Sequence, residues 1–125
     1  MKHTVIAVLL FFAIIAGVTF NSRAVTSMIG GFLEKLEALP TDENGMTEFA
    51  DGEAGSLYDE WRRLRFIAAL STHMEEVERV DEALTDLCSY ASVGDFSGYF
   101  AAAARAREAA EDLIKGEQLR AENIF

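Results

Sequence analysis

Of the side chains that make disulfides, stop helices and bind metals, the 125 residues hold one cysteine, one proline and two histidines. Cys88 has no partner for an internal disulfide and cannot supply a zinc cage. Basic side chains are scarce as well. Eleven Lys and Arg stand against 21 Asp and Glu, a net charge of −10. That balance argues against a nucleic-acid surface, which needs dense cations to meet phosphates. No segment alternates apolar and polar residues for long enough to read as a strand. The length is one domain's worth and excludes a large multi-domain enzyme. Low complexity is excluded too, because half the residues are hydrophobic. What is plentiful is Ala, Leu and Glu, which favours helix.

From Thr4 to Phe20 the chain carries no charge. As a helix these 17 residues cover about 25 Å, slightly less than a hydrocarbon core of about 30 Å. Lys2 precedes the run, which places the N-terminal tip in the cytoplasm by the positive-inside tendency. Arg23 stands on the far side, where it can snorkel. The expectation is an uncleaved anchor over 1–23 and an extracytoplasmic domain over 24–125, at the cytoplasmic membrane. The alternative is an export signal cut after Ala24, since Ser22 and Ala24 place small residues where a signal peptidase inspects them. Against it, Val25, Met28, Ile29, Phe32, Leu33, Leu36 and Leu39 continue as one helical stripe through that site.

The first helix is expected to reach Leu39 and stop at Pro40, whose ring nitrogen cannot donate to the helical ladder. A polar loop follows over 41–45. A second helix then starts near Thr47, weakened by Gly52 and Gly55, and strengthens through Leu57, Trp61, Leu64, Ile67 and Ala68. Thr72 to Glu75 has the form of a capping box, so a break falls near Ser71. Val77, Val80, Leu84, Leu87 and Ala91 mark a third helix. Gly94 closes it and Asp95 caps a fourth, over about 96–115, with Gly116 as its stop. The inner stripe of that helix reads Phe96, Phe100, Ala103, Ala106 or the stem of Arg107, Ala110 and Leu113. The stretches 36–57 and 84–100 share one order, helix, Asp-containing turn, aromatic, helix, a weak hint of duplication. The fold expected is all-α: a transmembrane helix continuing into a small antiparallel bundle of three to four helices.

Little in the sequence points to chemistry. His73 precedes Glu75, Glu76 and Glu78, but a di-iron bundle needs Glu-x-x-His on two helices. His73 therefore reads as a residue of the capping turn, with a pH-sensing role as the sharper alternative. Cys88 lies about four helical turns from His73, too far to be activated within one helix, and reads as a structural thiol. No serine has a nucleophile-elbow context and no loop cradles phosphate. No metal, cofactor or catalytic residue is assigned, and an enzyme is not expected.

Two features suggest contact with a partner. Arg62, Arg63 and Arg65 form the one dense basic cluster in an acidic chain. They read as internal partners of neighbouring acids or as a docking patch for an acidic protein or lipid headgroups. Trp61 among them reads as core, with a groove lining as the alternative. The last two residues, Ile124 and Phe125, either fold back into the bundle or present an apolar ligand.

An apolar N-terminal segment, Trp61, His73 before an acidic helix, Leu87 and Tyr90 before Gly94-Asp95, then Glu117 and Asn123-Ile124-Phe125 together resemble the bacterial domain of unknown function 4363. The resemblance covers nearly the whole chain, departing from the family pattern at Gly52 and Gly55. It implies a short, membrane-tethered helical protein and no reaction. The reading reached from the sequence is a non-enzymatic interaction module whose partner is another membrane or envelope protein. Its alternative is an extracytoplasmic ligand or pH sensor acting through a membrane partner.

Overall fold

The computed structural model describes residues 1–68 and 74–124, and for 17–22, 67, 68 and 120–124 the backbone alone. Among the described residues every regular element is helical: α1 (Lys2–Glu37), α2 (Glu43–Glu48), a π-helical turn (Phe49–Glu53), α3 (Ala54–Ala68), α4 (Met74–Ser92) and α5 (Phe96–Ile124). No helix among the described residues is long and apolar enough to cross a membrane. The apolar run at 4–20 extends into 17–22, whose side chains lie outside the description.

α1 is a rod of 36 residues, about 54 Å long. Its second half buries Val25, Ile29, Phe32 and Leu36, and Leu39 continues the seam just past its end. The four-three-four-three spacing keeps one seam turned inward, as in coiled coils. The helix stops at Glu37, two residues earlier than expected. The N–H groups of Ala38 and Leu39 turn back onto Glu34 O and Leu36 O, because the residue before a proline is driven away from helical backbone. The Asp42 carboxylate then accepts from the Gly45 N–H at 2.9 Å and caps α2, so the second helix begins at Glu43 rather than Thr47.

From Glu43 to Ala68 the helical elements follow one another without a break, and the π turn explains how. The buried positions are Met46, Phe49, Ala54, Leu57, Trp61 and Leu64. One interval is five residues instead of three or four. A π turn accommodates the extra residue and returns the stripe to the core. Gly52, read from the sequence as a weakness of the helix start, lies inside that turn.

The α4–α5 hairpin closes on the expected signals. Gly94 adopts φ +74, and the N–H groups of Gly94 and Asp95 bond to Ala91 O and Tyr90 O, a Schellman ending. Asp95 accepts from the Gly98 N–H at 3.0 Å. Asp42 and Asp95 thus each cap a helix through a glycine three residues on. In both turns that glycine is required by space. A Cβ at Gly45 would lie 2.5 Å from the Pro40 Cβ, and one at Gly98 would lie 2.6 Å from the Tyr90 ring. The two turns are built alike locally, which is as far as the hinted duplication is visible.

α5 runs through Gly116 to Ile124. The cost of one helical glycine, about 1 kcal/mol, is small beside the burial of the Leu113 side chain one turn before it. The inner stripe is also corrected. Tyr99, Ala102, Ala103, Ala106, Ala109, Ala110 and Leu113 face the core, whereas Phe100 is exposed. The Tyr99 hydroxyl donates to Pro40 O at 2.8 Å, tying the start of α5 to the end of α1. The capping box expected at Thr72–Glu75 falls largely on residues 69–73, outside the described residues.

Cross-helix pairs fix the register. Phe32 stacks near Trp61 with ring centroids 5.4 Å apart, and Lys35 meets Glu60 at 2.6 Å, so α1 and α3 run in opposite senses. Trp61 Nε1 donates to Asp81 at 2.6 Å and Cys88 lies against Ala54 O, which sets α3 antiparallel to α4. Arg79 meets Asp112 at 3.1 Å and Asp86 meets Arg105 at 2.9 Å. These two pairs lie seven residues apart on each helix, so α4 and α5 are antiparallel over two full turns. Their facing alanines allow close approach of the backbones.

Candidate interaction surface

The register places the candidate residues at one end of the bundle. α3 descends past α1 from Lys35 toward Val25, so the end of α3 and the start of α4 share the level at which α1 enters the bundle. The opposite end is formed by the turns at Pro40–Asp42 and Val93–Asp95.

Trp61 is fully buried. It packs on Phe32 and spends its one donor on Asp81, so it is a core residue and lines no groove. Arg65 Nε donates to the other oxygen of Asp81 at 2.6 Å. This bond is the first cause that holds the guanidinium pKa above its usual value, with the Asp81 charge second. One carboxylate thus orients both a buried indole and an exposed arginine. Arg65 belongs to the bundle rather than to a free patch.

Arg62 and Arg63 are exposed. Among the described residues neither makes an ion pair, so the internal pairing expected for the cluster holds for Arg65 alone. One turn on, Phe66 is 74% exposed, and Met74 at the start of α4 is 44% exposed. The sequence reading overlooked Phe66. Its signal was available, since it lies two residues past Leu64 and so falls on the opposite face from the Leu57, Trp61, Leu64 stripe. His73 and Phe125 lie outside the described residues. Ile124 is the last residue of α5, and its side chain lies outside the description.

Charge is distributed very unevenly between the two ends. Residues 34–59 and 81–111, which build the half with the two aspartate-capped turns, hold 14 acidic side chains and three basic ones. Residues 23–33, 60–66, 74–80 and 112–119, the described side chains of the half where α1 enters, hold six of each. The whole acidic excess of the bundle therefore sits at the end remote from the apolar run.

That run is exposed. Val5, Ile6, Val8, Leu9, Leu10, Phe11, Phe12 and Ile14 are each between 47% and 64% accessible, and no other element of the bundle covers them.

The remaining surface offers shallow grooves. One of about 240 Å³ has a floor of Ala83 and Ala109 between Arg79, Arg105, Glu82 and Glu108. Both arginines are already engaged, by Asp112 and Asp86. Cys88 is half-buried, and desolvation pushes its thiol pKa up, the direction that disfavours a reactive thiolate. Burial also raises the Tyr99 hydroxyl, with Arg107 opposing. Among the described residues no three His, Cys, Asp or Glu side chains are grouped to hold a metal ion. No protein-family model, curated protein or solved structure matches the chain.

Proposed function

We propose that this chain is a single-pass membrane protein that displays a helical bundle at the outer face of the cytoplasmic membrane, where it binds another membrane or envelope protein and performs no chemistry of its own. The observation that carries the reading is the exposure of eight large apolar side chains over Val5–Ile14. An apolar surface on all sides of a helix finds no stable place in water; a hydrocarbon environment accommodates it. The uncharged run at 4–20 and the following Arg23 give it the length and the flank of a short span. Lys2 favours an N-terminal tip inside and the bundle outside. The terminal Ile124 and Phe125 are the proposed contact for the protein partner.

α1 is helical without interruption through Ser22–Ala24, which favours an uncleaved anchor over a peptidase site. The test is the intact mass of the protein in carbonate-washed membranes of its host. The expected result is the full-length mass in the pellet. A mass beginning at Val25, recovered in the soluble fraction, contradicts the reading.

A further inference from the structure

The bundle end at which α1 enters carries two arginines without an ion pair among the described residues, Arg62 and Arg63, beside an aromatic ring that is 74% exposed, Phe66. Positions 62, 63 and 66 fall within about 100° of one face of α3. We infer that this face is a headgroup-docking surface, in which Arg62 and Arg63 meet anionic lipid phosphates and Phe66 enters the interfacial layer of the membrane in which α1 is anchored. The inference rests on the membrane reading above and adds to it a second, peripheral contact with the same bilayer.

The argument for this occupant comes from level and charge. The Phe32–Trp61 stacking fixes the α1–α3 register, so Phe66 sits level with about residue 27 of α1. That is about 10 Å beyond the end of the apolar run. A run about 25 Å long is also shorter than an average hydrocarbon core of about 30 Å, so a bilayer that does not thin around it brings its edge up to about 5 Å closer to the bundle. Headgroups extend about 5–8 Å past the hydrocarbon edge, so Phe66 adjoins that layer. Arg63 and Arg62, level with about residues 30 and 31 and about 15 Å beyond the run, span the remaining distance with extended side chains. The charge division favours the same partner. An anionic surface repels the half with 14 acids and three bases, and tolerates the half whose described side chains hold six of each. An acidic protein would meet the same arginines, but among the described residues nothing on this face supplies the pockets and satisfied polar rim of a protein interface.

The test uses the full chain with Cys88→Ala, labelled at a single introduced cysteine with an environment-sensitive fluorophore, in vesicles of phosphatidylcholine alone or of equimolar phosphatidylcholine and phosphatidylglycerol. The label sites are Leu9→Cys, Phe66→Cys and Val93→Cys, and lipid-borne nitroxides serve as quenchers. Site 9 is expected to be quenched by acyl-chain nitroxide in both compositions. Site 66 is expected to be quenched by headgroup nitroxide in the anionic vesicles, and site 93 to stay unquenched. Arg62→Ala with Arg63→Ala is expected to lower the docking equilibrium constant about thirtyfold, since two cationic contacts are lost; helicity should not change, because both side chains are exposed. If site 9 is quenched and site 66 is not, docking is overturned while the anchor stands. If the arginine pair matters only for recovery of an acidic protein partner, docking is overturned in favour of that partner. If site 9 is unquenched, the anchor fails and the docking inference fails with it.

Discussion

The two halves of α1 belong to one unbroken helix and live by different rules. Between Val25 and Leu39 one seam of five apolar side chains is buried and the remaining faces are mostly polar or small. Between Val5 and Ile14 apolar side chains point in every direction and all are exposed. The first pattern is what a helix needs when a bundle covers one side of it. The second suits a helix whose surroundings are apolar on all sides. Helical propensity does not distinguish the halves. What changes at about residue 24 is the width of the apolar face, and with it the kind of solvent that the helix requires.

The same contrast orders the predicted effects of substitution. The largest concerns packing. Phe32→Ala removes a buried ring stacked on Trp61 and is expected to cost about 3–5 kcal/mol of bundle stability. Phe11→Ala, on the same helix, is expected to leave the thermal midpoint unchanged. Melting curves of the full-length chain in detergent compare the two directly, and equal losses would erase the distinction between the halves.

The reverse experiment moves charge into the first half. Leu10→Lys is expected to weaken membrane insertion by about 2.5–3.5 kcal/mol and to shift the chain from the carbonate-washed pellet toward the supernatant. Glu34→Lys, on the exposed side of the second half, is expected to leave that partition unaltered.

A smaller effect tests how the second half is held in register. Asp81→Ala leaves the buried indole N–H of Trp61 without its acceptor, with an expected loss of about 1–3 kcal/mol in urea unfolding. Arg65→Ala removes only the exposed partner of the same carboxylate and is expected to leave the urea midpoint close to that of the parent chain. The smallest effect has the opposite sign. Gly30 has open space where a methyl group would be added, so Gly30→Ala is expected to stabilise α1 by about 1 kcal/mol. Gly98→Ala, by contrast, drives a methyl into the Tyr90 ring and is expected to destabilise by about 1–3 kcal/mol. Chemical denaturation of both variants gives the two signs side by side.

Where apolar periodicity was long and regular, the sequence was sufficient to place the structure. The Val25–Leu39 stripe, the α4 stripe from Val77 to Ala91, the burial of Trp61 and the Gly94–Asp95 turn were all legible. Errors arose where one residue of phase decides the outcome. Phe100 was placed inward for its size, yet the α5 seam passes through Tyr99, whose hydroxyl finds Pro40 O in a turn distant in sequence. The π turn at Phe49–Glu53 was illegible because a five-residue interval looks like a broken helix until its neighbours show that the stripe resumes. Gly116 looked like a stop because propensity acts locally, whereas the packing that carries α5 onward is tertiary. In the candidate surface the basic cluster was visible, but its division was not. Whether an arginine pairs inward or stays free depends on where Asp81 lies, and that follows only from the α3–α4 register.

The central claim is that the apolar half of α1 lies in lipid with the bundle outside. Its most direct test is labelling of intact host cells by a membrane-impermeant maleimide, using single cysteines at Leu9, Ser27 and Val93 in a Cys88→Ala chain. The account predicts rapid labelling at sites 27 and 93 and none at site 9 until the membrane is dissolved. Labelling at site 9 as fast as at site 27 would contradict it.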